Sequence, residues 1–314
     1  MRRRAVRRGP AAARAADARP RRPVPGRVSA AHLLVEVAGP LTTVQDLGRP
    51  GYAHLGVPRS GALDRPALLL GNRLVGNPPD AAGLEITLGP FAAVACRAGT
   101  VALTGAAAPL RVGGRPAPLN APVPVRAGDR IEVGRAVLGL RAYLAADGGL
   151  APAPVLSSRS TDTLSLLGPP VVRPGDRLPL GPAAGEPAAV DVVPRAALGG
   201  PIVLGITWGP RADRFTDVEV LGSTEYRIRS ESNRVGARLS GPALTRADAG
   251  ELPSEGIVLG AVQVPADGQP LVFLADHPTT GGYPVVAVVD AADLPLLAQA
   301  RPGDTVRFRG RPQQ

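Results

Sequence analysis

The chain of 314 residues carries a formal net charge of +10, with 39 Gly, 36 Pro and a single Cys. This density of Gly and Pro excludes a helix bundle, because both residues break helix interiors, and no apolar run approaches the roughly 18 residues that a membrane span needs. All 36 basic residues are Arg, which excludes a Schiff-base lysine, a phosphate-loop lysine and a lysine that carries biotin covalently.

Residues 1–30 hold ten of the Arg residues and one acid, and they show no apolar periodicity. A secretory signal needs an apolar stretch after its basic residues, and Arg14 interrupts the only Ala-rich run here. We therefore predict a cytoplasmic protein in which residues 1–30 are a disordered tail or mis-assigned upstream coding sequence; a nucleic-acid or targeting arm is the alternative. Residues 31–314 hold 26 Arg and 25 acids, and this near-neutral body predicts neither a nucleic-acid partner nor a membrane partner.

From residue 33 the chain is a series of short apolar or alternating segments bounded by Gly and Pro, which is typical of β-strands. We predict strands at residues 33–37, 100–104, 130–133, 136–144, 201–206, 225–229, 260–264, 271–274 and 285–289. Two segments favour helices instead: residues 64–74, with Asp64 as N-cap and Pro66 in the first turn, and residues 290–300. The fold class is therefore mainly β, with a few short helices.

One four-residue pattern occurs three times, each time before an alternating segment. It is Arg-Ala-Gly-Asp at 126–129 and Arg-Pro-Gly-Asp at 173–176 and 301–304. Ala or Pro suits a φ near −65° and Gly suits a positive φ, so each copy predicts a tight turn. Such turns favour antiparallel hairpins in barrel-like units, and whether the repetition reflects a duplicated domain stays open.

The Gly/Pro/Ala-rich residues 181–189 are typical of a linker or surface loop. We predict a boundary near residue 195, with one β-barrel-like domain at 31–195 and a second at 196–314. Cys96 ends an apolar run and is predicted to be a buried structural thiol. The three His residues lack the short spacing of a metal site, so no metal centre is expected.

The front segment, residues 42–64, predicts a long irregular loop, because Gly, Pro and polar residues are dense there, and such loops are often functional. Arg49 and Arg59 are candidates to clamp a carboxylate or phosphate by bidentate hydrogen bonds, and Ser60 lies beside them as a further binding candidate. The alternative for Arg49 is an internal ion pair with Asp46 that braces the turn.

Two acids near the first helix have competing interpretations. Asp64 is a catalytic candidate by position, or it only caps the helix. Glu85 lies among apolar residues at the start of a strand, where an acid either has a raised pKa for chemistry or is paired with an Arg, and we favour the paired role. Further along, Arg141 and the hydroxyl-rich residues 157–162 could cradle an anion or form an ordinary capped loop.

The rear segment, residues 254–284, concentrates polar side chains at the end of an apolar strand. Asp276 and His277 are catalytic candidates there, because a His beside an acid can act as a base. The substrate-binding candidates of this segment are Thr279, Thr280 and Tyr283, beside two glycines that allow close approach of a ligand. The alternative is that His277 lies in a turn and faces solvent.

Five stretches of the chain resemble the family of 5-oxoprolinase C-subunits, whose members are also described as biotin-dependent carboxyltransferases, allophanate hydrolase subunit 2 or antagonists of a kinase inhibitor. They are residues 41–64 (LTTVQDLGRPGYAHLGVPRSGALD), 75–90 (VGNPPDAAGLEITLGP), 141–149, 231–239 (ESNRVGARL) and 254–304. The resemblance runs in order from about residue 34 to 309. At 104–109 (TGAAAP) this chain lacks an acid that relatives tend to carry.

The resemblance implies two cyclophilin-like β-barrel domains. It also implies the C-subunit of an ATP-dependent 5-oxoprolinase, inactive alone, which acts with an A- and a B-subunit to open the lactam 5-oxo-L-proline to L-glutamate. Two alternatives are a carboxyltransferase subunit that moves a carboxyl group from carrier-bound biotin to urea or a related small amide, and a non-catalytic regulator that binds a kinase inhibitor. ATP is expected to act with the partner subunits, with no covalent cofactor on this lysine-free chain. We expect the front and rear segments to meet and to line one cleft that a second protein completes.

Overall fold

A computed structural model describes residues 31–194, 199–247 and 252–310. The predicted tail at 1–30 and the predicted domain boundary near residue 195 lie outside the described residues, and both stay predictions. The described residues form twenty β-strands and three α-helices, which confirms the mainly β class with a few short helices. All nine predicted strands are present, and those at 130–133 and 285–289 have the predicted bounds.

The first eleven strands build two sheets that share one apolar core. The strands are β1 (His32–Val37), β2 (Leu41–Gln45), β3 (Gly83–Thr87), β4 (Phe91–Ala95), β5 (Gly99–Ala107), β6 (Leu110–Val112), β7 (Arg115–Ala117), β8 (Val123–Val125), β9 (Arg130–Val133), β10 (Leu138–Ala146) and β11 (Arg177–Pro179). The first sheet has the order β11-β1-β4-β9-β6-β7 and the second the order β2-β3-β10-β5-β8. Side chains two residues apart on a strand point to the same face, so Leu33 and Val35 of β1 and Leu84 and Ile86 of β3 all enter the shared core.

The later strands close into a seven-stranded barrel. The strands are β12 (Ile202–Trp208), β13 (Glu225–Ile228), β14 (Gly236–Ser240), β15 (Glu255–Gly256), β16 (Ala261–Gln263), β17 (Leu271–Phe273), β18 (Thr280–Gly281), β19 (Val285–Val289) and β20 (Thr305–Gly310). The barrel order is β12-β19-β16-β17-β14-β13-β20, closed by a parallel pairing of β12 with β20, while β15 and β18 pair separately. Alternation places Tyr226 and Phe308 inside, with ring centroids 5.9 Å apart. The two β units therefore differ, since residues 31–194 form two sheets around one core and residues 199–310 form the closed barrel.

Three α-helices pack against these sheets: α1 (Arg65–Leu74), α2 (Val220–Ser223) and α3 (Leu294–Gln299). The predicted cap of α1 is confirmed, because the Asp64 carboxylate accepts a hydrogen bond of 3.0 Å from the Ala67 backbone N–H. Helix α3 is shorter than the predicted 290–300. Pro295 lacks a backbone N–H and fits only the first turn, so the helix begins at Leu294. No helix in the described ranges has the length and apolar character to cross a membrane.

The three predicted turns are present, and each is closed by its own Asp. The carboxylates of Asp129, Asp176 and Asp304 accept hydrogen bonds of 2.7–2.8 Å from the backbone N–H three residues earlier. The intervening glycines have φ of 88°, 92° and 91°. The prediction of hairpins is wrong: the turn at 126–129 joins β8 to β9, which lie in different sheets, and that at 301–304 joins α3 to β20. The pattern fixes a chain reversal, and long-range packing decides what the reversal connects.

The predicted burial of Cys96 is also wrong. Strand β4 ends at Ala95, and the next residue leaves the sheet with its thiol exposed. The Sγ atom of Cys96 lies 3.0 Å from Nε2 of His32. The apolar run therefore predicted the strand correctly, but it did not predict the exposure of Cys96, which follows the last paired residue.

Candidate functional site

A stripe of buried polar side chains crosses the second sheet on the face that points away from the shared core. Its members are register partners on β2, β3, β10 and β5, and each is at most 1% exposed: Thr43, Glu85, Tyr143 and Thr104. Because side chains alternate along a strand, their apolar neighbours fill the core while these residues face α1 and the barrel. Buried polar groups require partners. Thr43 accepts from Gln45 of the same strand, Thr104 donates to the Ala67 carbonyl of α1, and Glu85 accepts from Arg234.

Arg234, in the loop before β14, lies at the centre of these contacts and is 1% exposed. Its guanidinium donates to the Glu85 carboxylate at 2.5 Å and to both oxygens of Asp276 at 2.9 and 3.0 Å. A fourth hydrogen bond of 2.7 Å reaches the carbonyl oxygen of Gly61. One side chain thus joins the second sheet, the front segment and the rear segment.

The opposite charges of Arg234, Glu85 and Asp276 offset the free-energy cost of burying each of them. Burial alone would lower the pKa of Arg234, but the charges of Glu85 and Asp276 outweigh that effect and raise it above its ordinary value. Burial would likewise raise the pKa of Asp276, but the Arg234 charge and several hydrogen bonds hold the pKa of that carboxyl below its usual range. The predicted paired role of Glu85 is confirmed, with Arg234 as its partner and Arg141 3.6 Å away.

The front and rear segments meet at Asp276, as predicted. The Ser60 hydroxyl donates to Asp276 at 2.7 Å, and the Ser60 backbone N–H donates to the carbonyl of Ala275 at 3.0 Å. The backbone N–H and hydroxyl of Thr163 donate to the other Asp276 oxygen at 2.9 and 2.7 Å. The contact is thereby fixed at three places in the chain, and the cleft expected beside it stays a prediction.

Two glycines allow the front segment to fold back on itself here. Gly48 has a φ of 83°, and a Cβ on it would lie 2.6 Å from the Ser60 carbonyl oxygen. Gly61 has a φ of 98°, and a Cβ on it would lie 2.9 Å from the Gly48 nitrogen. Only glycine fits both the left-handed conformation and this backbone contact, so these positions place Ser60 against Asp276.

A second chain of hydrogen bonds runs from Glu85 toward the barrel helix α3. The Tyr143 hydroxyl donates to Glu85 at 2.8 Å and accepts from the Asp64 backbone N–H at 2.7 Å. The Gln299 side chain donates to the Asp64 carboxylate at 2.7 Å and accepts from the backbone N–H groups of Leu140 and Arg141 at 3.0 and 3.1 Å. Burial raises the pKa of Asp64 despite the Gln299 hydrogen bond, and burial together with the charge of Glu85 raises the pKa of Tyr143 well above its ordinary value.

The hydroxyl-rich residues 157–162 bind a carboxylate of the protein itself, that of Asp46. The Asp46 carboxylate accepts hydrogen bonds from the hydroxyls of Ser158 and Ser160 at 2.7 and 2.5 Å and from the backbone N–H of Arg159 at 2.5 Å. Arg141 does not take part, because it lies on β10 beside Glu85 and Gln299. Of the two interpretations of residues 157–162, an anion cradle or an ordinary capped loop, the structure shows the capped loop, whose hydroxyl and backbone donors bind the Asp46 carboxylate.

Arg49 is buried, and its acidic neighbour differs from the one expected. Its guanidinium donates to the Ser160 carbonyl oxygen, and Nη1 lies 4.0 Å from an oxygen of Asp162 rather than beside Asp46. Within the described ranges, Nε and Nη1 of Arg49, Oδ2 of Asp162 and the Thr161 hydroxyl are buried without a hydrogen-bond partner. These atoms retain the capacity to bind a small polar molecule.

His277 is 7% exposed, so it does not face solvent. Its Nδ1 lies 2.7 Å from the carbonyl oxygen of Pro278, and its ring packs near Phe273 with centroids 6.1 Å apart. Asp276 is occupied by other donors, so it does not orient the imidazole as an adjacent acid in a relay would.

The other predicted site residues lie near the surface. Arg59, Thr280 and Tyr283 are exposed and Thr279 is half-buried. The roles proposed for these residues, and for Arg49, Ser60, Asp64, Asp276 and His277, stay predictions. Across the described parts of the chain, no three acidic, His or Cys side chains converge as metal ligands.

Sequence reasoning did not single out Arg234 or Gln299, although both complete the buried network. Arg234 lies in a polar loop segment and Gln299 at the end of a short helix, and neither has a local pattern that marks it. Their partners are far away in sequence, with Arg234 and Glu85 149 residues apart. The sequence did indicate that Glu85, an isolated acid among apolar residues, needs a basic partner, but it did not identify which Arg that partner is.

Comparison with known proteins gives consistent matches over most of the chain. A family model for the carboxyltransferase domain, subdomain A and B, matches residues 55–310. The chain is 38% identical to the 5-oxoprolinase C-subunit of Escherichia coli, over 86% of this chain and 88% of that protein. It is 35% identical to the urea amidolyase of Lachancea kluyveri, over 86% of this chain and 16% of that protein. The crystal structure of the K. lactis urea amidolyase superposes with a TM-score of 0.82 at 30% identity, over 90% of this chain and 19% of that one.

The chain thus corresponds to most of the E. coli protein and to under a fifth of each of the two urea amidolyases. These matches confirm the resemblance to the family of 5-oxoprolinase C-subunits that the sequence indicated. The chain belongs to the family of carboxyltransferase domains built from subdomains A and B.

Proposed function

We propose that this chain is the C-subunit of an ATP-dependent 5-oxoprolinase, which opens 5-oxo-L-proline to L-glutamate together with an A- and a B-subunit. The observation that carries the proposal is the extent of the match to the E. coli protein, which covers 86% of this chain and 88% of that protein. The 5-oxoprolinase C-subunit of Haemophilus influenzae gives a second match of the same extent, at 33% identity over 87% of its length.

The chemistry of a lactam is consistent with an enzyme that uses ATP. An amide carbon is a poor electrophile, and ATP supplies the phosphoryl transfer that makes it reactive. The partner subunits are proposed to hold ATP, since this lysine-free chain has no phosphate loop of the GK[ST] type. Of the two proposed anion clamps, Arg59 is exposed on this chain and could face a partner's substrate, while Arg49 is buried against Ser160.

A carboxyltransferase that acts on urea or a related small amide is the second candidate. It is favoured by the urea amidolyase matches at 35% identity and by the TM-score of 0.82 to the K. lactis structure. Biotin, if it is used, is not attached to these 314 residues, because they contain no lysine.

The two candidates are separated by reconstitution. The chain is coexpressed with candidate A- and B-subunits, and the purified complex is assayed for ADP release and L-glutamate formation that depend on 5-oxo-L-proline. The control is the same preparation without this chain, which we expect to be inactive. Lack of turnover in an assembled complex, together with carboxyl transfer from biotin to urea in a complex with a biotin carboxylase and carrier, would favour the second candidate.

A further inference from the structure

A cavity of about 140 Å³ lies where the first β unit meets the barrel. Its walls come from the start of β10, the start of β12, helix α3 and the turn at 301–304. Leu296 of α3 lines the cavity and is 38% exposed, so the cavity opens to solvent beside that helix. Because a protein cavity of about 150 Å³ can hold benzene, this one has room for a molecule of roughly six to nine non-hydrogen atoms.

Arg301 gives the cavity wall a fixed positive charge. Its Nε and Nη2 donate to the carbonyl oxygens of Gly139 and Ala136, both at 2.6 Å, and these contacts hold the guanidinium in place. They use one edge of the guanidinium. The other edge, formed by Nη1 and the second N–H of Nη2, can bind a carboxylate through two parallel hydrogen bonds. Within the described ranges, no carboxylate pairs with this guanidinium within 4.0 Å, so its charge is available to a ligand.

Asp304 gives the same wall a negative charge. One of its carboxylate oxygens accepts from the Arg301 backbone N–H at 2.8 Å, and no donor of the described residues bonds to the other oxygen. Of the described residues that line the cavity, Arg301 and Asp304 are the only charged ones. Asp304 would repel a simple anion and Arg301 a simple cation. The pair of charges therefore favours a ligand that carries one charge of each sign.

The rest of the wall is largely apolar, with side chains from Leu138, Ile202 and Leu296. Gln299 also lines the cavity, but its amide group is already bonded to Asp64 and to the backbone of β10. A mainly apolar pocket with a few polar groups that fix the orientation is typical of a small-molecule site. A matching ligand has a carboxylate, a cationic group and a short hydrocarbon chain, which describes an aliphatic α-amino acid.

We propose that this cavity is a binding site for a small aliphatic α-amino acid, an inference that does not depend on the proposed function. The ligand carboxylate accepts hydrogen bonds from Arg301, its ammonium group donates to Asp304, and its side chain packs against Leu138 and Ile202. The ligand also contacts Gln299, whose amide joins Asp64 to β10. Binding is thereby linked to the contact between the two β units, and it stabilises the folded chain.

The test titrates the full chain with L-valine at neutral pH, by calorimetry and by the rise in Tm. We expect saturable binding at one site, with a Kd in the millimolar range or tighter. Isovalerate lacks the ammonium group of valine and L-valinamide lacks its carboxylate. Each should bind at least about tenfold more weakly, because each loses a hydrogen bond to a charged group.

Two variants locate the ligand. Asp304→Asn keeps the turn, because the Asn oxygen still accepts from the Arg301 backbone N–H, but it removes the negative charge. It should weaken the binding of L-valine at least about tenfold without weakening that of isovalerate. Asp176→Asn is the matched control, since Asp176 closes the same kind of turn at 2.7 Å outside this cavity, and wild-type affinity is expected. Leu296→Phe, at a partly exposed position, should fill the cavity and abolish binding.

The proposal is overturned if neither calorimetry nor the melting temperature shows saturable binding of L-valine to the wild-type chain over the millimolar range. Isovalerate that binds as tightly as L-valine would contradict the role of Asp304. Affinity for L-valine within about threefold of wild type in Asp304→Asn would place the ligand elsewhere on the chain, and this result would hold even if Leu296→Phe failed to fold. None of these results bears on the 5-oxoprolinase proposal, which the reconstitution assay tests separately.

Discussion

Replacing Arg234 by Met is expected to destabilise the folded chain more than any surface Arg substitution. The Met side chain fills most of the volume but leaves the buried Asp276 carboxylate, at 0% exposure, without its cation, and leaves Glu85 with only Arg141, 3.6 Å away. Removing one member of a buried ion pair costs about 3–5 kcal/mol. Asp276 keeps its donors from Ser60 and Thr163, so the lower end, about 3 kcal/mol, is expected.

The measurement is the free energy of unfolding from urea titration of the purified chain, with the melting temperature as a second readout. A loss of about 3 kcal/mol corresponds to a fall in Tm of roughly 6–12 °C for a chain of this size. The matched control is Arg307→Met, since Arg307 pairs with Glu225 with 56% of its side chain exposed. Exposed pairs of this kind contribute at most about 1 kcal/mol.

A double substitution tests the cause. Adding Asp276→Asn to Arg234→Met removes the buried carboxylate that has lost its cation, so part of the loss should return, on the order of 1 kcal/mol. The reasoning is refuted if Arg234→Met loses no more stability than Arg307→Met, or if the added Asp276→Asn lowers stability further.

Three further predictions address the other parts of the network and the corrected surface. The pKa of Asp276 in the folded chain lies below its unfolded value of about 3.9. The ionised carboxylate therefore contributes its full share of the unfolding free energy above that pH, and this share is lost as the pH falls toward the folded pKa. Between about pH 5 and 2 the unfolding free energy of Asp276→Asn should fall less steeply than that of the wild type. Gln299→Glu replaces the amide that donates to Asp64 at 2.7 Å by an acceptor, which should lower the unfolding free energy by about 1–3 kcal/mol, whereas a change below about 0.5 kcal/mol would contradict this contact. Cys96 is exposed, so native protein should release one equivalent of thionitrobenzoate from Ellman's reagent without denaturant; a thiol that reacts only after unfolding would contradict the exposed position.

Local features of the fold were predictable because they depend on neighbouring residues. Alternation predicted strands such as β9, in which every second side chain is buried. Asp64 and Pro66 marked the start of α1, since a cap and an N-terminal proline act within one helical turn. The Gly of each four-residue turn predicted a positive φ, which depends on the absence of a Cβ and on nothing distant.

The candidate site was only partly predictable, because its contacts join residues that are far apart in the chain. Ser60 and Asp276 were both chosen as candidates, yet their direct hydrogen bond spans 216 residues. The bond from Gln299 to Asp64 spans 235 residues, and no local pattern marked Gln299.

By itself the sequence determined the β class, most of the strands, the helix cap and the turns, because steric and hydrogen-bonding preferences act over a few residues. Only the tertiary structure decided which polar groups are buried together. The packing of the barrel against one face of the second sheet selects Arg234 as the cation for Glu85 and Asp276, and it leaves His277 buried with one nitrogen bonded to Pro278. Burial makes those pairings strong, and burial is a property of the assembled layers rather than of any segment.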